Sequence, residues 1–327
     1  MSNEKQKLIL TGTGGWLGDE MVTALQTDYD LIALTRQCHK AVSIESENNY
    51  QIWDSSSSLS NFVSSQFISE SILLHSASYP YSLYKITSNS IGLADLLTYE
   101  LNIIKSLLED IPPKHIVYIS SSAAFNFIGN VTTLLDANRY QNLDKFGTSK
   151  FIVEQCISDY AIKKGIPFTI VRPFSIFSMN EKPSYNLGHL YSDIVYKLLT
   201  RKTNNLSMSL PESYRMYLTG YGDFIHSLEL ILQDRSKAAG ACYAIINEQF
   251  ICLKDFVDYV VAFGLKHKLI LKHPDVNFPS NMKTSNASNS LAFNKEKFAT
   301  HTFNIINRSP FELIEKYLTF YYLSQAS

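Results

Sequence analysis

LILTGTGGWLG, residues 8–18, opens with three apolar residues that read as a short buried strand. Gly12, Gly15 and Gly18 follow at a three-residue spacing, and Asp19 to Thr27 continue as a helix. A strand that turns through glycines into a helix start offers bare backbone N–H groups and the positive end of a helix dipole. That combination suits a pyrophosphate. Glycine permits both the tight turn and the close approach, where a Cβ would collide with the ligand or the strand. With Trp16 and Leu17 completing the turn, the stretch is the expected seat of a dinucleotide; the alternative is a tight turn without a ligand.

The chain has 327 residues, enough for one large α/β unit or two closely joined domains. Apolar residues make up 45%, charged residues 18%, and the net charge is −1, so neither nucleic acid nor an anionic membrane surface is an expected partner. The polar start MSNEKQK runs straight into the first strand, so no signal peptide is expected. No apolar run reaches the ~18 residues that a membrane span needs. Cys38, Cys156, Cys242 and Cys252 have neither CxxC spacing nor a nearby histidine pattern. Neither a disulfide framework nor a metal site is expected, and the cytoplasm is the default compartment. The 20 Tyr and 19 Phe are many for this length, and core packing explains them better than a ring-binding cleft.

Leu31 to Leu34 forms a second strand, ending in Thr35 and Arg36. In a dinucleotide fold this strand end meets the adenosine ribose. An acidic residue there would bind the ribose hydroxyls and repel a 2′-phosphate. Arg36, with His39 and Lys40 close behind, favours NADP(H), with NAD(H) as the other possibility. In the Ser-rich stretch 55–65 and just beyond, Leu59, Phe62, Val63, Phe67 and Ile68 recur at helical spacing, which predicts an amphipathic helix. Asp54 before it either meets the adenine amino group or caps that helix. Strands at Ile72–Leu74, Ile116–Ile119 and Phe168–Val171 alternate with helices at Leu93–Leu108 and from about Asp144. Small residues after two of these strands, Ser76–Ala77–Ser78 and Ser120–Ser121–Ser122, leave room for a ligand. The order implies an α/β fold, a Rossmann-type doubly wound parallel sheet.

Beyond Phe174 the alternation breaks. Helices are expected at Tyr191–Leu199, Asp223–Leu232, Leu253–Phe263 and Ser309–Tyr321, and strands at Met208–Leu210 and Cys242–Ile246. Residues 1–173 are taken as the dinucleotide-binding domain, with segments around 215–247 returning to it. Residues 174–214 and 248–327 form a smaller C-terminal substrate domain.

Taken together, these residues resemble the extended short-chain dehydrogenase/reductase family, in its branch of NAD(P)-dependent nucleotide-sugar epimerases, dehydratases and reductases. The resemblance rests on LTGTGGWLG, on LLHSAS at 73–78, on Asn102 in the long helix, and on ISSSAAF at 119–125. It continues through FGTSK at 146–150, VRPFSIF at 171–177, Arg215 ahead of YGDFIHSLELIL, ACYAIINEQFICLKDFVDYV, and NASNSLAFNKEKF. It implies cofactor contacts from Ala77, Asn102, Lys150 and Pro173, and a substrate-holding hydroxyl at Ser122. It also implies a phosphate contact from Arg215, a further substrate contact from Asn186, and a nucleotide sugar as the small-molecule substrate. Family members commonly dimerise through the two long helices, which here carry Asn102 and Lys150, so a homodimer is expected.

The family's chemistry uses Tyr and Lys four residues apart on one helix face. The ammonium lies over the nicotinamide ribose and lowers the phenol pKa, and the phenol moves the proton while hydride moves. Lys150 matches the lysine, but the tyrosine position is Phe146. A phenyl ring has no proton to transfer, and positioned acid/base catalysis contributes about 10²–10⁴-fold. Tyr140, Thr148, Ser149, Tyr185, His189 and Lys150 itself are the candidate substitutes. Near the cofactor's other end, Asn126, Phe127, Ser175, Ser178 and Met179 depart from the family pattern as well. The sequence thus points to an NADP(H)-dependent oxidoreductase with an atypical proton donor. An epimerase or dehydratase with retained cofactor, and a non-catalytic NAD(P)-binding protein, are the alternatives.

Overall fold

A computed structural model describes residues 4–36, 49–53, 57–78, 91–109, 111–124, 145–183, 189–234, 239–279, 302–306 and 308–323. The chain divides into two compact units. The first takes Met1–Tyr79, Ser90–Pro173 and Ile225–Ala244; the second takes Pro80–Asn89, Phe174–Phe224 and Ile245–Ser327. The return to the first unit is shorter than the 215–247 segment suggested by sequence, because Arg215 to Phe224 group with the second.

In the first unit six strands pair in parallel: β1 (Gln6–Thr11), β2 (Tyr29–Thr35), β3 (Asn49–Ile52), β4 (Ile72–His75), β5 (His115–Ile119) and β6 (Phe168–Pro173). Their spatial order is β6-β5-β4-β1-β2-β3, and β11 (Ala241–Asn247), which starts in this unit, follows β6. From β1 the chain winds outward through β2 and β3, then returns to place β4 on the other side of β1. The winding direction therefore reverses between β1 and β4, and ligands bind outside the strand ends at such a point.

Leu8, Ile9 and Leu10 are all fully buried, as expected of a parallel sheet covered on both faces. On one face Ile9, Leu73, Ile116, Tyr118 and Ile170 pack with Ile103 and Leu107 of α3 (Leu93–Leu108) and with Val153, Ile157 and Ala161 of α4 (Lys145–Lys164). Helix α1 (Trp16–Leu25) buries Gly18, Met21, Val22 and Leu25 at helical spacing. It starts three residues before Asp19 because Gly15 is already its N-cap.

The single helix expected over residues 59–68 is instead a 3₁₀ turn, Leu59–Asn61, followed by α2 (Ser65–Glu70). The cause is local chemistry. The Ser58 hydroxyl accepts from the Ser60 N–H and the Ser64 hydroxyl from the Phe67 N–H, so the stretch has two capped starts rather than one.

The second unit holds β7 (Ile176–Phe177) paired with β10 (Thr219–Gly220), β8 (Asn205–Ser207) with β13 (Asp275–Asn277), and β9 (Arg215–Tyr217) antiparallel to β12 (Phe250–Cys252). Its helices are α5 (Leu190–Val195), α7 (Leu253–Lys266) and α8 (Pro310–Leu318), while α6 (Tyr221–Gln233) starts in it and ends in the first unit. The strand expected at Met208–Leu210 lies three residues earlier, as β8, because the chain turns at Pro211. Phe177, Tyr191 and Tyr317 meet in the core with ring centroids 4.4 to 5.7 Å apart, so aromatic residues here serve packing.

Among the described residues no group of side chains is arranged to hold a metal ion, and no helix is long and apolar enough to cross a membrane. Cys156, Cys242 and Cys252 are free thiols. Cys38 lies outside the described residues.

Candidate functional site

The three glycines of the first turn do different work. Gly12 has φ +82°, and a Cβ there would lie 2.6 Å from the Ala77 nitrogen. A Cβ on Gly18 would lie 2.3 Å from the Gly12 carbonyl oxygen and 2.7 Å from Thr13 Cα. Both residues are glycine because backbone packs against them. Gly15 is exposed, and the nearest atom to a Cβ there would be the Gly12 oxygen at 3.8 Å. Packing places no demand on this residue. It is the N-cap of α1 and makes no side-chain cap, so the helix start is approachable from outside; half-buried Trp16 and Leu17 form the first turn.

Hydroxyls hold this turn against its neighbours. Thr13 donates to the Leu34 carbonyl at 2.9 Å, joining the turn to β2. Thr11 Oγ1 accepts from the Ser76 and Ala77 N–H groups, both at 3.2 Å, and lies 2.8 Å from His75 Nδ1. Ala77 is thereby fixed at the reversal point between β1 and β4. Arg36 follows the last residue of β2 and is exposed. Its guanidinium donates to the Tyr99 hydroxyl and lies 5.3 Å from the centre of that ring. Tyr99, on α3, was not anticipated from sequence.

A buried polar cluster underlies the carboxyl ends of β4 and β5. Lys150 on α4, 3% exposed, donates from Nζ to the Tyr118 hydroxyl at 3.1 Å and lies 3.5 Å from Glu100 Oε1. Ser78 donates to the same carboxylate oxygen at 2.6 Å. The Phe146 ring, half-buried, has its centroid 5.7 Å from Lys150 Nζ. His75 stacks on Tyr118 with centroids 5.4 Å apart, and its Nε2 is buried without a hydrogen-bond partner among the described residues. Burial, with Lys150 adding to it, pulls the His75 pKa down to about 3. Burial also pushes the Tyr118 phenol well above its ordinary range, helped by Glu100 and Glu154.

Of the two polar residues near the middle of α3, Glu100 faces this cluster. Asn102 is exposed, and its carbonyl accepts from Ser106 at 3.0 Å. Asn102 is therefore not brought to Lys150, because it lies off the buried stripe of the helix. The sequence carried a usable signal: Glu100 falls in register with Leu96, Ile103, Ile104 and Leu107.

Ser122 begins a 3₁₀ turn, Ser122–Ala124, at the end of β5. A Cβ on Gly147 would lie 2.4 Å from the Ala123 oxygen, so glycine lets this turn sit directly on the first turn of α4. The turn that carries Ser122 thus abuts the helix turn that carries Phe146, one turn before Lys150. Ser149 donates to the Phe146 carbonyl at 2.8 Å, while the Thr148 hydroxyl is buried without a hydrogen-bond partner among the described residues. Farther along α4, Glu154 pairs with Arg172 of β6 and accepts from Ser120. Pro173, half-buried, ends that strand.

In the second unit Arg215 is exposed on β9, its guanidinium 4.5 Å from the centre of the Phe250 ring. His189 is bound to buried Glu181, with Nδ1 at 2.6 Å from Oε2 and its backbone N–H donating to Oε1 at 2.7 Å. Tyr191 donates to the same carboxylate. Of the other residues singled out by sequence, His39, Lys40, Asp54, Asn126, Phe127, Tyr140, Tyr185, Asn186 and the 286–298 segment lie outside the described residues.

The profile of the NAD dependent epimerase/dehydratase family matches residues 8–233, from β1 to the end of α6. The chain belongs to this family. The match spans the glycine turn, Ser122, the FGTSK segment and Arg215. Solved structures with the same fold include UDP-glucose 4-epimerase of Thermotoga maritima with UDP-glucose, 14% identical, TM-score 0.63, covering 98% of this chain and 99% of that one. UDP-glucuronic acid 4-epimerase of Bacillus cereus, with UDP-glucuronic acid and NAD, is 17% identical with TM-score 0.65 over 98% and 99% of the two chains. RMD of Pseudomonas aeruginosa complexed with NADPH is 12% identical with TM-score 0.56 over 97% and 98%. No curated protein matches the chain by sequence. At these identities the shared feature is the epimerase-type fold.

Proposed function

We propose that this chain binds a nicotinamide dinucleotide, preferring NADP(H), and carries out redox chemistry on a nucleotide-linked keto-sugar or a similar polar carbonyl. The observation that carries the proposal is the contrast between Gly15 and its neighbours. Packing explains Gly12 and Gly18, whereas a Cβ on Gly15 would clash with nothing, and the exposed, uncapped helix start there suits a pyrophosphate. Residues Gly12 to Gly18 would hold the pyrophosphate and Arg36 the 2′-phosphate. Ala77, Lys150 and Pro173 would face the nicotinamide half. When bound, the nicotinamide supplies hydride transfer. Membership in an NAD dependent family supports the cofactor, and the NADPH complex of the Pseudomonas relative is in keeping with the phosphorylated form.

The proton must come from a group other than Phe146. Tyr118 is fully buried between Lys150 and His75 and is not assigned this role. We assign proton transfer to Lys150, whose ammonium lies beside the Phe146 ring, and assign the hold on the substrate oxygen to Ser122. A second reading, epimerisation with the cofactor retained, is supported by the family match and by the names of the 4-epimerase relatives.

The test is fluorescence titration with NADPH and NADH, followed by incubation with a UDP-linked 4-keto-sugar while NADPH is monitored. Binding with oxidation supports the reductase. Conversion of sugar without net NADPH use selects the epimerase. Binding without turnover leaves a dinucleotide-binding protein, and absence of binding overturns the proposal.

A further inference from the structure

Helix α3 buries one carboxylate where its pattern calls for an apolar side chain: Glu100, in the stripe Leu96, Glu100, Ile103, Ile104, Leu107. Lys150 holds the matching place on α4, in register with Val153, Glu154, Ile157 and Ala161. The two charges meet 3.5 Å apart with side-chain exposures of 1% and 3%. Taking both charges out of water is expensive, and a well-packed apolar pair in their place is often as stable or more so. Neither residue is needed to shape its helix, so stability alone does not account for the pair.

We infer that Glu100 is a positioning residue that pins the Lys150 ammonium and cancels its charge beneath the cofactor site. The other groups around the pair do not share this task. Tyr118 and His75 are held neutral by burial, Phe146 offers a ring, and Glu154 is committed to Arg172. Ser78, from the loop after β4, fixes the Glu100 oxygen that faces Lys150. This inference rests on the dinucleotide reading above and adds a consequence to it. The oxidised nicotinamide ring carries a positive charge and the reduced ring does not. A lone ammonium at the site would repel the oxidised form, and Glu100 removes that bias.

The experiment measures the dissociation constants of NADP⁺ and NADPH for the wild-type protein, Glu100→Gln, Lys150→Met and the double variant. Glu100→Gln is expected to weaken NADP⁺ relative to NADPH by about tenfold, and Lys150→Met to shift the ratio the opposite way. The double variant, neutral again, is expected to return the ratio of the two affinities to within about twofold of wild type. A pair with a purely structural role would lower the melting temperature of the single variants and weaken both nucleotides equally. That result overturns the inference. If Glu100→Gln does not fold, the other two variants decide: a shift in Lys150→Met that the double variant cancels supports it, and no shift overturns it. A wild-type protein that binds neither nucleotide removes the dinucleotide reading itself, a failure seen before any variant is made.

Discussion

Arg172 meets Glu154 in a two-pronged pair, with Nε 2.9 Å from Oε1 and Nη2 2.5 Å from Oε2, and both side chains are almost closed to solvent. The pair joins β6 to the middle of α4, the helix that carries Lys150, so its rigidity bears on the site as well as on the fold. Removing one partner strands the other charge in the interior. Glu154→Gln is expected to destabilise the protein by about 3 kcal/mol, and Glu154→Leu combined with Arg172→Met to recover most of that. Urea denaturation of the two variants measures both effects. Equal losses in the single and double variants would show that the pair itself is stabilising.

Acid should weaken the first unit through His75. In the folded chain its pKa falls from 6.5 to about 3, so between those values the unfolded chain binds a proton that the folded chain does not. Stability is then fully present above about pH 6.5 and declines as pH falls, by at most about 1.4 kcal/mol per pH unit from this residue. Glu181 in the second unit acts in the same sense: burial opposes it, but hydrogen bonds from His189 and Tyr191 hold its carboxyl below the usual range. His75→Gln should flatten the pH dependence of the melting temperature across that window. An unchanged slope would assign the acid sensitivity elsewhere.

Arg36 is held at the end of β2 by Tyr99, which leaves the guanidinium oriented and exposed. Arg36→Ala is expected to weaken NADPH by about tenfold and leave NADH unchanged. Tyr99→Phe keeps the ring but loses the hydroxyl, so its effect should be in the same direction and smaller. Fluorescence titration with both nucleotides reads the ratio. An Arg36→Ala protein that keeps its NADPH preference would show that this arginine does not read the 2′-phosphate.

Phe146→Tyr places a phenol beside Lys150, on the helix turn against which the Ser122 turn packs. If the site handles a carbonyl, reductase turnover should rise by about tenfold or more, within the range that positioned acid/base groups supply. Steady-state rates with a UDP-linked 4-keto-sugar test it. A fall in turnover with cofactor binding intact would mean that the ring shapes the site and that the proton follows another route.

The strands β1, β2, β4, β5 and β6 were legible because parallel strands buried on both faces are continuous apolar runs. β3 was not: Asn49-Tyr50-Gln51-Ile52 is half polar, and only pairing with β2 makes it a strand. The 59–68 stretch misled because its apolar spacing is helical while Ser58 and Ser64 each start a separate turn. At the candidate site, local motifs point to Gly12, Gly15, Gly18, Ser122 and Lys150, since each motif is made of neighbours in sequence. Glu100, Tyr99 and the Glu154 partner of Arg172 depend on contacts between distant segments. For Glu100 the sequence carries a signal, as a charge on an otherwise apolar helix stripe.

Gly15→Ala asks whether the first glycine turn seats a dinucleotide. Gly15 has φ −88°, and a Cβ there would meet only the Gly12 oxygen at an ordinary contact distance of 3.8 Å, so alanine fits the folded chain without strain. The measurement is NADPH affinity, taken together with melting temperature. The prediction is a melting temperature within about 2 °C of wild type and an affinity lowered by about tenfold or more. Gly12→Ala, by contrast, should lose stability outright, because its Cβ would strike the Ser76–Ala77 backbone. A Gly15→Ala protein that folds and binds NADPH as tightly as wild type would mean that this turn does not seat the pyrophosphate.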